Sequence, residues 1–288
     1  MLQHVANGLA IGCIYALVSC GFVWVYNAVG AVNFAHGELV MVGAFLGVTA
    51  SLALGLSPGP ALLLAVLGSG VVGLVFQRVA YYPVRHRPPV TFIIVSIGMS
   101  ILLRNAALVV WGPDPVSLPG FMGRAMVRVG SGSISANHLL IIGVTLATFG
   151  LQHLFFTRTR LGRWLEATAQ DQEAARLMGI RVNRMIALTF VLSAAVAALA
   201  GYLVVPVIFV SAEMGLFVIL KAFIAMVIGG FGSIPGTLVG GVFLGVLEVL
   251  TAFFISSHYK DVFAFLLLIL ILLVRPEGFF GEKVGEKA

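Results

Sequence analysis

The chain has 288 residues, of which 60% are hydrophobic and 10% charged, with a mean hydropathy of +1.09 and a formal net charge of +6. An ordinary soluble domain carries about 25% charged residues, so the composition excludes one and predicts an all-α, polytopic membrane protein. The basic residues stand in short loops between apolar segments, which argues against a nucleic-acid-binding protein and favours a role in membrane orientation.

Nine apolar segments follow one another, and a bilayer-spanning helix needs about 20 residues. Arg104, in the fourth segment, lies about two turns from Trp111 and is expected to snorkel to the interface. The count is eight or nine transmembrane helices, because residues 33–56 either cross fully or re-enter. The 34 glycines predict close helix packing. The segments are 5–26, 31–56, 61–76, 90–111, 138–156, 185–210, 215–231, 237–255 and 262–274.

The loops set the expected topology of a single transmembrane domain over residues 1–288. The loop around Arg85, the polar segment 158–184 and the tail 275–288 carry three, six and three of the 17 Lys and Arg residues. An even number of predicted spans separates each of these segments from the next, so all three lie on one side of the membrane. The positive-inside rule predicts that this side is the cytoplasm. Residues 112–137 are then an external loop, in which Met126 to Ile134 predicts a small hairpin. No Lys or Arg precedes Arg78, so the side of the N-terminus stays open.

The polar segment 158–184 is the longest in the chain. From Glu166 to Met178, small or apolar residues alternate with carboxylates and amides in a pattern typical of one short surface helix, and Gly179 is placed to end it. A helix of this kind between two spans is typical of a membrane protein whose movement is driven from the aqueous side of the membrane. A solvated linker helix is the alternative.

A family resemblance rests first on this segment. Glu173-Ala174-Ala175 followed by Gly179 resembles the EAA-x-x-x-G motif of ABC importer permeases, although the later proline of the fuller motif is absent. The wider stretches NFAHGELVMVGAFLG, QDQEAARLMGIRVNR and IGGFGSIPGTLVGGVFLG are similar, in the same order, to the LivH/LivM family of permeases of branched-chain amino-acid ABC importers. The likeness covers about residues 5 to 280 of the chain.

The resemblance implies a transport subunit of the bacterial cytoplasmic (inner) membrane, without enzymatic activity or cofactor of its own. It implies as partners two ABC ATPase subunits, an external substrate-binding protein and a second permease, either LivM-like or a copy of this chain. It also implies that the cytoplasmic loop is a coupling helix that docks on the ATPase. The coupling candidates are Glu166, Ala167, Glu173, Ala174, Ala175 and Gly179.

Two segments place glycine and polar residues directly before an apolar run. GELVMVGAFLGV, from Gly37, aligns with GTLVGGVFLGV, from Gly236, with one gap. Paired interrupted helices in an internal repeat are typical of transporters, and the chance similarity of glycine-rich segments is the alternative. The candidates for helix breaks and the translocation path are Asn33, His36, Gly37, Glu38, Gly232, Ser233, Pro235 and Gly236.

Ionisable residues inside the spans are the remaining candidates. Lys221 and Glu248 are costly if they face lipid, so a pair between adjacent spans is predicted, with a proton relay as the sharper alternative. His36 and Glu38 are too few ligands for a metal site, and bracing of a broken helix is the preferred interpretation.

Three functions compete on the sequence. No Gly-Lys dipeptide exists, so a phosphate-binding P-loop is absent and energy must come from a partner or an ion gradient. The first interpretation is an ABC permease that moves branched-chain or other hydrophobic amino acids inward by alternating access, with urea or short amides as substrate variants. The second is an ion-coupled secondary carrier. The third is a non-transporting membrane scaffold or enzyme.

Overall fold

The computed structural model describes residues 2–123, 125–129 and 132–281. In these residues eleven α-helices and one two-stranded hairpin form a helical membrane domain. The helices are α1 (Leu2–Val29), α2 (His36–Leu52), α3 (Pro58–Phe76), α4 (Pro89–Trp111), α5 (Ala136–Arg158), α6 (Arg160–Gln170), α7 (Gln172–Leu177), α8 (Val182–Val204), α9 (Met214–Gly229), α10 (Ile234–Phe254) and α11 (Lys260–Val274). A π-helical turn and a 3-10 turn extend α3 to residue 84.

Each of the nine predicted apolar segments overlaps one of these helices, so the polytopic all-α prediction is confirmed. Seven helical segments are long and apolar enough to cross a membrane, and α2 and α9 are shorter. With 17 and 16 residues, these two are about 24–26 Å long at 1.5 Å per residue, less than the roughly 30 Å hydrocarbon core.

Glycine brings α1 and α10 into backbone contact. A Cβ added at Gly12 would lie 2.7 Å from the Cα of Val242, and one at Gly241 would lie 2.7 Å from the Cα of Ala16. The alignment of Gly8 with Val246 and of Gly12 with Val242 shows that the two helices run antiparallel. Such close packing gives transmembrane helices the van der Waals contact that replaces a hydrophobic driving force in lipid.

Helix α8 lies at the centre of the domain together with α1, and it packs against α1, α2 and α3. Small residues again set the distance: Gly43 of α2 lies against Ala198, Gly47 against the ring of Tyr202, and Gly73 of α3 against Ala194. The Tyr202 hydroxyl and Ser51 Oγ are 3.0 Å apart near the far end of α2. Helices α2 and α8 therefore run in the same direction.

The coil between α1 and α2 turns back into the membrane. Helix α1 ends at Val29, yet His36 Nε2 lies 3.0 Å from the carbonyl oxygen of Val18, eleven residues before that end. At 1.5 Å per residue this corresponds to about 16 Å of depth. Residues 30–35 thus re-enter along α1, and α2 begins near the middle of the bilayer.

Contacts with the basic segment 158–184 orient this arrangement. Gln172 Nε2 of α7 donates to the carbonyl oxygen of Ala28 at 2.8 Å, so α1 ends on the side of the basic segment 158–184 and begins on the opposite side. The positive-inside rule predicts that the side of segment 158–184 is the cytoplasm, and on that basis we refer to it as the cytoplasmic side and to the opposite one as the outer side. Helix α2 then continues to the outer side, where the ring of Phe45 stacks on that of Trp111 at 4.9 Å and Thr49 Oγ1 accepts from the Trp111 indole at 2.8 Å. Residues 33–56 therefore complete one crossing of the membrane. The coil before α2 enters from the cytoplasmic side, and the short helix α2 continues to the outer side.

Helix α9 follows the same plan in the opposite direction. After α8 ends outside, residues 205–213 lead inward, and Val210 pairs with Val116 of the external loop through backbone bonds of 2.7 and 2.9 Å. Helix α9 begins where Gly215 touches Gly37 at the start of α2, and it ends at the cytoplasmic side, where Gly232 accepts from Asn27 at 2.9 Å. The two short helices have adjacent N-termini and run to opposite faces, as in inverted repeats.

The partner of α2 in this repeat differs from the one the sequence predicted. The alignment paired α2 with α10, but α10 is a full span that begins at the cytoplasmic side after a turn over residues 230–233. The two sequences match because Gly43 and Gly47 face α8 in the same way that Gly241 and Gly245 face α1. The sequence similarity of α2 and α10 therefore reflects close glycine packing in both helices, and it does not mean that they hold equivalent positions in the fold.

The external loop contains the predicted hairpin. Strand β1 (Met126–Val129) pairs antiparallel with β2 (Gly132–Ser135), and Val127 lies opposite Ile134. Gly130 and Ser131, at the predicted turn, lie outside the described residues. The tail residues 282–288 also lie outside them, whereas Phe279 and Phe280 donate to the carbonyl oxygens of Ile228 and Gly229 at 2.9 Å and so cover the end of α9.

Candidate functional site

The cytoplasmic segment folds as two helices, α6 and α7, and not as the single helix predicted over Glu166 to Met178. Asp171 separates them because its carboxylate caps α7, accepting from the backbone N–H groups of Glu173 at 2.8 Å and Ala174 at 3.0 Å. Thr159 caps α6 in the same manner through the N–H of Gly162 at 3.0 Å. The module is therefore held by local hydrogen bonds at the start of each helix.

Gly179 ends α7 as expected from the sequence. Its φ of +82° is the left-handed conformation that favours glycine. The N–H groups of Gly179 and Ile180 donate at 3.0 Å to the carbonyl oxygens of Arg176 and Ala175. The chain reverses sharply at this point, which places the end of α7 at the tip of the module.

The tip is apolar and exposed. Leu177 and Met178 are 89% and 83% exposed, although they lie in a segment that the sequence predicts to lie outside the membrane. Among the coupling candidates, Glu166, Glu173, Ala174 and Gly179 are exposed, Ala167 is half-buried and Ala175 is buried. An apolar tip in water, rimmed by charged residues, is typical of a protein-binding surface.

The opposite side of α7 packs on the membrane domain. Ala175 is 3% exposed and belongs to a buried cluster that joins α7 to α1, to the re-entrant coil and to α8. Together with the bond from Gln172 to Ala28 near the end of α1, this cluster connects α7 with the coil that leads into α2. The other buried members of the cluster are Val25, Ala31, Ala35, Phe76, Ala80, Tyr81, Phe92, Val182, Ile186 and Phe190.

The first group of helix-break candidates lies at the start of α2. The Asn33 Oδ1 accepts from the N–H of Ala35 at 3.1 Å, and Ser96 Oγ of α4 accepts from the N–H of Phe34 at 3.1 Å. His36 is fully buried and bridges two helices, with its ring nitrogens 3.0 Å from Val18 O and 3.2 Å from Ser193 Oγ. The bonds from Phe34 and Ala35 satisfy backbone N–H groups that would otherwise be unpaired inside a membrane.

Glu38 forms a buried ion pair that the sequence did not reveal. Its Oε1 accepts from Arg104 Nη2 at 3.1 Å and from Ser100 Oγ at 2.9 Å. The expectation that Arg104 snorkels outward is wrong, because its guanidinium turns inward to a carboxylate that is 1% exposed. The sequence contained one indication, since Ser100 and Arg104 are four residues apart and share a face of α4.

The second group of candidates lies elsewhere. Ser233 Oγ caps α10 by accepting from the N–H of Gly236 at 3.1 Å, and Pro235 occupies its first turn. Gly236 packs against Gly229, at the cytoplasmic end of α9. The structure therefore does not bring Gly232, Ser233, Pro235 and Gly236 together with the residues at the start of α2.

Lys221 and Glu248 lie beside each other in a separate cluster. The Lys221 ammonium donates to Glu248 Oε1 and, at 2.7 Å, to Asp261 Oδ1 of α11, while Tyr15 Oη donates to Glu248 Oε2 at 2.8 Å. The sequence predicted the pair but not Asp261 or Tyr15, which come from the two ends of the chain. The cluster joins α1, α9, α10 and α11.

Replacing Lys221 with methionine is expected to destabilise the folded domain by about 3–5 kcal/mol, because Glu248 would stay buried without its cation. The measurement is thermal unfolding in detergent. The double variant Lys221→Met/Glu248→Met removes both charges and should recover most of the loss. Equal melting temperatures for the single and the double variant would show that the charges are not coupled.

Comparisons with known proteins agree with this architecture. Residues 4–272 match the family described as "Branched-chain amino acid transport system / permease component". The chain is 41% identical to the high-affinity branched-chain amino acid transport system permease protein BraD of Pseudomonas aeruginosa, over 99% of this chain and 97% of that protein. It is 39% identical to LivH of Escherichia coli strain K12, described in the same words, with the same shares covered.

A solved structure shares the fold. The chain superimposes on "PsaBC from Streptococcus pneumoniae in complex with Fab" with a TM-score of 0.53 at 14% identity, over 96% of this chain and 92% of that one. At this identity the likeness concerns the fold alone. The family match and the two relatives, which extend over nearly the whole chain, show that this multi-pass membrane protein belongs to the permease component family of branched-chain amino acid transport systems.

Proposed function

We propose that this chain is the membrane-spanning subunit of an ABC importer that carries branched-chain or other hydrophobic amino acids into the bacterial cell. The observation that supports this most is the cytoplasmic module, in which an apolar tip at Leu177 and Met178 faces water while Ala175 packs on the membrane domain. The substrate class follows from what BraD and LivH are named for.

Its partners would be two ATPase subunits, an external binding protein and a second permease, LivM-like or a copy of this chain. The tip, with Glu166, Ala167, Glu173, Ala174, Ala175 and Gly179 around it, would dock on an ATPase. Ordered turns at Asp171 and Gly179 suit this role, because a rigid α7 transmits a displacement instead of absorbing it. The chain itself would bind no nucleotide.

The transmission would run through buried contacts. A movement of α7 reaches α1 through the bond from Gln172 to Ala28 and reaches the re-entrant coil through the cluster around Ala175. The coil leads into α2, whose start touches the start of α9. Since α2 runs to the outer side and α9 to the cytoplasmic side, a shift at their meeting point would expose the substrate path alternately to each face.

The test is purification of the chain in mild detergent from its native host, with identification of the copurifying proteins and an ATPase assay. We expect two ATPase subunits and a second permease, with ATP hydrolysis that rises when the binding protein and leucine are added. A chain that purifies alone and transports leucine under an ion gradient without ATP would overturn the proposal.

A further inference from the structure

The starts of α2 and α9 meet backbone to backbone in the core of the domain. Gly37 and Gly215 are the second residues of the two helices. A Cβ added at Gly37 would overlap the carbonyl oxygen of Gly215, and a Cβ at Gly215 would overlap Glu38 Oε2. No side chain larger than hydrogen fits at either of these two positions, so direct contact sets the separation of the two helix starts.

The carboxylate of Glu38 lies at this junction and touches three helices. It belongs to the first turn of α2, its Oε1 accepts from Ser100 and Arg104 of α4, and its Oε2 faces Gly215 of α9. Each helix N-terminus carries a partial positive charge of roughly +0.5, so two helix ends and one guanidinium all attract the same carboxylate.

This ion pair differs from the cluster around Lys221. There, Lys221 lies between two carboxylates and Tyr15 donates to Glu248, and none of these side chains belongs to α2, α4 or α7. At the junction, by contrast, Glu38 Oε2 and Arg104 Nε make no hydrogen bond within residues 2–123, 125–129 and 132–281. Groups that are buried but not fully paired are held less firmly than a satisfied network, which suits a contact that changes during a cycle.

We propose that Glu38 and Arg104 are positioning residues that act as a gate clamp: their ion pair holds the junction of α2 and α9 closed against α4 and is loosened in each transport cycle. This inference rests on the proposed function. The clamp is connected to the coupling module, because the re-entrant coil belongs to the same buried cluster as Ala175 and continues into α2 two residues before Glu38.

The test replaces Glu38 with glutamine, which keeps the shape and loses the charge, in the full complex reconstituted with its ATPases and binding protein. The readouts are the leucine molecules taken up per ATP hydrolysed and the ATPase rate without binding protein. We expect the uptake per ATP to fall about tenfold, a change within the range of typical coupling energies between sites. We also expect the unstimulated ATPase rate to rise. Uptake per ATP equal to that of the wild type would overturn the inference.

Two further variants separate a clamp from a merely structural pair. Glu248→Gln removes the charge of the other buried pair and is expected to lower the melting temperature without changing uptake per ATP. If Glu38→Gln does not assemble, Ser100→Ala removes only one hydrogen bond to Oε1, and uptake per ATP should still fall, by about threefold; an unchanged ratio would overturn the clamp. A wild-type complex without ATP-driven uptake would instead contradict the proposed function itself.

Discussion

Replacing Gly245 with leucine is expected to abolish the folded permease, because α1 and α10 are packed backbone to backbone at this position. A Cβ at Gly245 would overlap the backbone of Gly12 and Gly8, and backbone cannot move aside as a flexible side chain does. Overpacking a core costs about 1–3 kcal/mol when side chains can adjust, and more is expected here. The measurement is the amount of monodisperse permease recovered from membranes, followed by its melting temperature.

Helix α5 offers a matched control for this substitution. Gly143 lies in a span of similar hydropathy, and an added Cβ there meets no atom of the described chain within 4 Å. Gly143→Leu should therefore leave the yield of folded subunit unchanged. Equal recovery of the Gly245 and Gly143 variants would show that the close approach of α1 and α10 is not what holds the domain together.

Aspartate in place of both Leu177 and Met178 is expected to uncouple the permease from its ATPase without harming insertion. The two side chains are 89% and 83% exposed, so their replacement should leave the fold unaffected. Burying two such residues in a partner contributes about 1.5–3 kcal/mol each, so binding should weaken at least about 100-fold. Copurification of the ATPase and ATP-driven uptake are the two measurements.

Gln170→Asp is the control for the docking tip. It introduces a single aspartate at an exposed position of the same module. This position is the last residue of α6 and lies outside the tip. This variant should keep its ATPase and its transport. If the double aspartate variant binds the ATPase as tightly as the control, then the tip is not the docking surface.

Much of the fold could be predicted from the sequence, because span length and apolar content are local properties. Nine helices lie in the nine apolar segments, and the hairpin near Met126 and the end of α7 at Gly179 lie where turn chemistry predicts them. The split between α6 and α7 could have been predicted as well. Asp171 in the middle of the polar segment is a favoured N-cap residue, and its position indicates a new helix start.

The depth of each element in the membrane could not be predicted in this way. Periodicity does not distinguish a helix that begins at the interface from one that begins at mid-bilayer, so the pairing of α2 with α9 was missed in favour of a glycine pattern shared with α10. The inward turn of Arg104 depends on Glu38, 66 residues away, and the cluster around Lys221 recruits Asp261 and Tyr15 from distant segments. Such contacts follow from the packing of whole helices.

The most direct test of the account is leucine uptake into proteoliposomes that contain the purified permease complex, with the binding protein outside and ATP inside. The account predicts uptake that requires ATP, continues when ion gradients are collapsed, and is lost with aspartate at Leu177 and Met178. Uptake by this chain alone, driven by an ion gradient and indifferent to ATP and to the tip, would contradict it.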